Sequence, residues 1–323
     1  MPLTLPDWNP RAALEPLRLP WLAAAGLELA VLRLDALDPL VSGNKWFKLA
    51  PYLAEAVRGG AEGVISLGGA HSNHLHALAA AGARFGFATV GLLRGEPQET
   101  PTVQDLQDFG MALHWLGYGG YRARHQPGFW EPWLRRYPGF QPVPEGGGDL
   151  PGAQGCMGLV AMIREQLASL GWDDYHSLWV AAGTGTTLVG LVLGEEGRHP
   201  VMGALAVPPD HGVAERVRSL LADAGRPDQG YRLIDASRGG FARLDAQLAR
   251  FLLDSERDGG LVLEPLYTAK ALLAIREEAE ARRIPAGSRL VLLHTGGLQG
   301  RRAMQANLLQ LAGYTDRAVE EQG

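Results

Sequence analysis

Two rhythms of apolar residues run along this chain of 323 residues. Short, mainly apolar runs, GVISLGG (63–69), FATVGLL (87–93) and ALHWLG (112–117), the first two with β-branched residues, read as buried strands. Between them, SNHLHALAAAGARFG (72–86) and TPTVQDLQDFG (100–110) carry the wider spacing of amphipathic helices. Strands without alternation are covered on both faces, which predicts a parallel sheet sandwiched by helices. Prolines and glycines then accumulate in PGFQPVPEGGGDLPGAQG (138–155), which reads as a crossing between units. A second series follows, with HSLWVAAG (176–183), VMGALAV (201–207), YRLIDA (231–236), LVLEP (261–265) and SRLVLLHTGG (288–297) as strand positions and TTLVGLVLGEE (186–196) as a helix. The fold class expected is α/β, two doubly wound units with a cleft between them. No repeat at solenoid periods is visible.

Composition narrows the possible roles. An apolar content of 46% with 20% charged residues describes a soluble globular chain. A net charge of −5, a pI near 6.0 and arginines scattered among acids give no footprint for nucleic acid. Cys156 is the only cysteine, so an internal disulfide and a cysteine-based zinc site are excluded and a reducing compartment fits. The opening MPLTLPDWNPRAALEPL lacks the basic start and apolar core of a secretory signal, and no apolar run nears the ~20 residues that span a bilayer. The expected location is the cytoplasm, without membrane contact.

Ligands of doubly wound sheets bind beyond the carboxyl ends of strands, so the strand-to-helix junctions carry the candidate chemistry. Ser72, Asn73 and His74 start a helix after two glycines, a seat for a carboxylate or phenolate oxygen or simply a capped helix. His71, His74 and His76 lack an acidic partner nearby in sequence, and no metal is expected. Gly183, Thr184, Gly185, Thr186 and Thr187 offer small residues and hydroxyls for a phosphate. They lack the lysine of a nucleotide-triphosphate loop and the spaced glycines of a dinucleotide fingerprint. Tyr267 and Thr268 precede a helix in which Lys270 reads as a surface cation, and Thr295 lies in a Thr-Gly-Gly run ending a late strand.

The lysines are the sharpest compositional signal. By subtraction, 27 of the 30 basic residues are arginine, yet SGNKWFKLA (42–50) holds two of the three lysines. An amine, unlike a guanidinium, can lose its proton and attack a carbonyl. From a reference pKa near ~10.4, deprotonation at pH 7.4 costs about 4 kcal/mol, more than the ~0.3–2 kcal/mol a helix N-terminus behind an Asn44 cap supplies, so burial must contribute. Scarcity does not choose between Lys45 and Lys48. A reactive amine with a phosphate seat matches pyridoxal 5'-phosphate, which has both an aldehyde and a phosphate.

GNKWFKL, GGAHSNH, PEGGG, AAGTGTT, EPLYTAK and HTGG, in that order, resemble the 1-aminocyclopropane-1-carboxylate deaminase and D-cysteine desulfhydrase family, of the fold type II pyridoxal phosphate enzymes that include the tryptophan synthase β subunit. The resemblance runs from about residue 25 to 312. It implies that Lys45 forms the imine with the cofactor, that Asn73 holds the phenolic oxygen, that Gly183, Thr184, Gly185, Thr186 and Thr187 cradle the phosphate, and that Thr295 meets the pyridine nitrogen. Ser72, Asn73, His74 and Tyr267 would face the substrate, with Lys45, Ser72 and Tyr267 catalytic. It further implies a small domain, 49–152, inserted into a large one formed by 1–48 and 153–323, and a homodimer. The implied activity is α,β-elimination on a small amino acid, desulfhydrase-like, to keto acid and ammonia. Thr268 stands where the cyclopropane deaminases carry a glutamate, and Phe241 where they carry a second tyrosine, so ring opening is disfavoured; His71 and Phe47 are further local differences. Racemisation or β-replacement on the same cofactor, and a non-catalytic protein that binds a phosphorylated metabolite, are the alternatives.

Overall fold

The computed structural model describes residues 2–313. Ten strands lie among them: β1 (Leu14–Leu17), β2 (Glu28–Arg33), β3 (Gly63–Gly68), β4 (Ala88–Leu93), β5 (Ala112–Trp115), β6 (Phe140–Pro142), β7 (Ser177–Ala182), β8 (Val201–Leu205), β9 (Tyr231–Asp235) and β10 (Arg289–His294). They form a six-stranded sheet, order β1-β2-β10-β7-β8-β9, and a four-stranded sheet, order β5-β4-β3-β6. Every pairing is parallel except β1 with β2. The smaller sheet is drawn entirely from chain between β2 and β7.

The unbroken apolar runs do what their pattern requires. In β7, Leu178, Val180 and Ala182 enter one core layer while Trp179 and Ala181 enter the other; in β10, Val291 and Leu293 oppose Leu290 and Leu292. One face is covered by helices Gly158–Arg164, Thr186–Glu195 and Val213–Asp223, the other by Ala246–Gly259 and Thr268–Glu280. Each such side chain contributes about 1.5–3 kcal/mol by leaving water, and a strand with two wet faces would forfeit that twice over. The small sheet is built the same way. Val64 and Leu93 meet helices Lys45–Arg58 and Asn73–Phe85 through Leu49, Leu53, Leu75 and Leu78, while Ile65, Leu67, Val90 and Leu92 pack beneath Tyr121, Trp130 and Trp133.

One run departs from expectation. LVLEP (261–265) forms no strand. Leu261 and Leu263 are buried, but side chains satisfy the backbone in place of a ladder: the Leu263 amide donates to Glu256 at 2.8 Å, and the Val262 and Leu263 carbonyls accept from His294 Nε2 at 2.8 Å and Arg301 Nη1 at 2.9 Å. Local apolarity is the same for a strand and for a buried extended link; the partners of the peptide groups distinguish them. Among the described residues no helix is long and apolar enough to cross a membrane.

Candidate active site

The carboxyl ends of β3, β7 and β10 lead into the three junctions at 69–73, 183–187 and 294–297, and the helix that starts at Lys45 is fastened to the last of them. The Asn44 amide donates to the Thr295 carbonyl at 3.1 Å. Gly43 and Gly296 bring the two backbones together, since a Cβ on Gly43 would meet the Thr295 oxygen at 2.6 Å and one on Gly296 the Gly43 Cα at 2.7 Å. The glycines flanking Lys45 and Thr295 are therefore a close approach that no side chain permits. Asn44 occupies the N-cap position of the Lys45–Arg58 helix but makes no side-chain cap; its Nδ2 donates instead to Thr187 Oγ1 at 2.9 Å, tying the lysine segment to the threonine loop.

Burial, not the cap, changes the lysines. Lys45 is half-buried and its ammonium form is disfavoured first by loss of water, with the nearby Lys48 amine in hydrogen-bond contact. Lys48 is 2% exposed, and burial followed by the charge of Lys45 pushes it well below the usual lysine range. The structure thus separates the two residues that the sequence left equivalent: Lys45 is partly exposed, and Lys48 is buried under the Gly147 segment, where an added Cβ would approach Lys48 Cβ to 3.1 Å. Burial also pushes the Cys156 thiol up to about 11, so this neighbour stays neutral.

The glycine-threonine junction is an open helix start. Gly185, at the N-cap of helix Thr186–Glu195, has φ +78° and provides no side-chain cap, and the threonine hydroxyls serve each other and the scaffold. Thr184 and Thr186 hydroxyls lie 3.1 Å apart, Thr186 donates to the Gly148 carbonyl at 3.3 Å, and Thr187 accepts from Asn44. The first-turn N–H groups and the positive helix end are left for an anion.

The junction at 72 is closed by comparison. Ser72 Oγ accepts from the Leu75 amide at 3.2 Å, an ordinary cap on helix Asn73–Phe85. Asn73 Oδ1 accepts from Gln299 Nε2 at 2.8 Å, a link to the segment after β10, and its amide crowds Gly297. His74, 2% exposed, turns into the interior, with Nε2 and Ser66 Oγ 2.8 Å apart. Because Ser66 gives its proton to the Val143 carbonyl at 2.9 Å, His74 is the donor to Ser66 and its Nδ1 is an acceptor without a partner among the described residues. Burial and the two lysines hold this imidazole neutral. His76 pairs with Asp105 at 3.2 Å, an acid that sequence proximity did not reveal, and His71 is exposed.

Tyr267 lies against the phosphate-type loop, where a Cβ on Gly183 would meet its ring at 3.0 Å. Phe241 stands edge-on to it, ring centroids 5.6 Å apart, so the positions that the family resemblance pairs are neighbours in space. Thr268 is wholly buried and its hydroxyl has no partner among the described residues. Two residues escaped sequence reasoning. Glu264 holds the turn that leads into helix Thr268–Glu280, accepting from the Leu266 and Tyr267 amides at 2.8 and 2.7 Å, and burial raises its carboxyl to about 7. Lys270 is no surface cation: it is 1% exposed and donates to four backbone carbonyls. Membership of the three-lysine set was the signal that could have found it.

This arrangement, a lysine amine with suppressed basicity beside an uncapped helix start, defines a site for a carbonyl-bearing, phosphorylated cofactor, and comparison with known proteins agrees. The sequence matches the pyridoxal-phosphate dependent enzyme family over residues 13–296, and the chain belongs to that family. It is 27% identical over 292 residues to a putative 1-aminocyclopropane-1-carboxylate deaminase of Pyrococcus horikoshii, covering 85% of this chain and 86% of that protein. To the D-cysteine desulfhydrase of Serratia proteamaculans it is 27% identical over 293 residues, covering 84% and 87%. A solved structure described as an ACC deaminase homologue has the same fold, with a TM-score of 0.80 at 23% identity over 96% of each chain. The protein is a pyridoxal phosphate enzyme, and the chemistry of these residues is compatible with that group: the Gly185 helix start carries no side-chain cap, and burial disfavours the charged form of Lys45.

Proposed function

We propose that the protein is a lyase that eliminates a β-leaving group from a small amino acid, D-cysteine or a close analogue, releasing keto acid and ammonia. The observation that carries this reading is the half-buried Lys45 amine, held by Asn44 beside the Gly185 helix start and disfavoured in its charged form. Gly183, Thr184, Gly185, Thr186 and Thr187 would hold the phosphate, Asn73 the phenolic oxygen and Thr295 the ring nitrogen; Ser72, with Asn73 and the amides after it, would take the substrate carboxylate. His74 serves the interior in this reading, and Tyr267 orients substrate. When bound, the cofactor supplies a sink for the electron pair left at the substrate α-carbon. Once the substrate amine had displaced it, Lys45 Nζ would take the α-proton, the leaving group would depart from Cβ with its bonding electron pair, and water would complete deamination to keto acid and ammonia. The hydroxyl of Thr295 cannot pair with a full positive charge as a carboxylate can, which favours prompt departure of the leaving group over a long-lived carbanion.

Relatives named as cyclopropane deaminases raise ring opening as the second reading. Against it stand Phe241, which offers no acid or base beside Tyr267, and Thr268, whose hydroxyl is buried. We further propose division into 1–48 with 153–323, and 49–152, a cytoplasmic location and a homodimer that light scattering would test. The two sheets support the division, although Leu3 and Trp8 pack on the smaller unit, the latter 4.4 Å from Trp46 between ring centroids; Met1 and residues 314–323 lie outside the described residues.

The decisive experiment is borohydride reduction of protein loaded with pyridoxal phosphate, followed by peptide mapping. Label on the Lys45 peptide is expected, with Lys45→Ala colourless and its turnover down by about 10³-fold or more. Label on Lys48 or on no lysine would reject the assignment. Release of keto acid and ammonia from D-cysteine, L-cysteine, D-serine and β-chloroalanine separates elimination from racemisation and replacement.

A further inference from the structure

We infer that Lys270 is a positioning residue, an internal cation that clamps the turn at 237–241 and so sets Phe241 against Tyr267 on the substrate side of the cleft. Its Nζ lies within hydrogen-bond distance of the carbonyls of Ala206 at 3.3 Å, Ser237 at 3.0 Å, Gly240 at 3.0 Å and Phe241 at 2.9 Å. Four carbonyl dipoles converging on one point repel each other unless a cation sits among them. Among the described residues no carboxylate bonds this ammonium; burial lowers its pKa to about 8, and Glu264, Asp235 and Asp245 favour the charge from farther away, opposed by Arg238. A planar guanidinium cannot divide its donors around a compact carbonyl cage, which accounts for a lysine here in an arginine-rich chain.

The turn needs the clamp. Arg238 sits at φ +58°, a left-handed conformation that non-glycine residues rarely hold, and is gripped from outside by Asp245, Glu277 and Gln247. Phe241 is 42% exposed, so its placement depends on its backbone, and that backbone hangs on Lys270. Tyr267 is the N-cap of helix Thr268–Glu280 and Lys270 lies in its first turn, so one helix start fixes both rings. The consequence for catalysis rests on the proposed facing of Tyr267 toward substrate; the clamp itself does not.

The test uses full-length Lys270→Ala loaded with pyridoxal phosphate. Hydrogen exchange in a peptide covering 237–241 should quicken about tenfold or more. Potassium or ammonium ions, small enough for the emptied carbonyl cage, should restore it, and tetramethylammonium should not. KM for whichever of the four amino acids the wild type consumes should rise about tenfold with kcat within about threefold, and the same ions should lower it again. Unchanged exchange, or recovery that does not depend on ion size, would overturn the clamp. If Lys270→Ala fails to fold, Phe241→Ala decides: it keeps the clamp, and an unchanged KM would overturn the positioning role. A wild type that turns over none of the amino acids defeats the elimination reading alone, because the exchange result stands without it.

Discussion

The helix starts at Ser72 and Gly185 look alike in sequence, each a buried strand, a pair of small residues and a polar run, and the structure uses them in opposite ways. At the first, the Ser72 hydroxyl closes the helix by accepting from Leu75; at the second, Gly185 offers nothing and the neighbouring threonines are turned to one another and to Asn44. A capped terminus is stable without a ligand, whereas an uncapped one keeps its N–H groups and helix charge for an anion that arrives with the cofactor. Leaving a terminus uncapped costs folding stability and gains affinity.

Substitutions at the two junctions sharpen that contrast. Gly185→Ala should have the largest effect. Its left-handed backbone costs about 1–2 kcal/mol for any side chain, and the added Cβ would lie 2.5 Å from Val217 Cγ2, about 1–3 kcal/mol more. Thermal unfolding should show both, and equilibrium dialysis should find pyridoxal phosphate affinity reduced about a hundredfold. The turn before a third helix, held by Glu264, gives a pH signature. Its carboxyl is raised from 4.5 to about 7, so the native state holds this proton more tightly than the unfolded chain, and stability falls as pH rises through that window. The decline is at most about 3 kcal/mol at about 1.4 per pH unit, and Glu264→Gln should flatten it in denaturant titrations from pH 4.5 to 7.

Ser72→Ala should lose about 1 kcal/mol of stability with its cap, and an unchanged KM would remove Ser72 from the substrate seat. Gly69→Ala completes the comparison with the smallest effect. A Cβ there would meet only Arg94 Nη2 at 3.9 Å, so stability should stay within about 0.5 kcal/mol. A loss as large as that of Gly185→Ala would end the distinction between the two junctions.

Lys45 and its neighbours show how far the sequence reached. The strand-helix cadence, the glycine loops and the rarity of lysine are local properties, set by the chemistry of side chains and by the period of the elements that carry them, and they were readable along the chain. Which lysine stays partly exposed was not, because Lys45 and Lys48 share a helix and a composition and differ only in what the PEGGG segment brings over them. Lys270 was misjudged for the same reason: burial and four converging carbonyls come from residues 206 to 241, at least 29 positions away in the chain. The sequence by itself determined a parallel α/β chain and marked a lysine pair and a glycine-threonine loop as the candidates for a reactive amine and a phosphate seat. Only the tertiary structure decided the protonation preference of each amine, the partner of each helix start and the pairing of Phe241 with Tyr267, since desolvation and long-range contact exist only once distant segments meet.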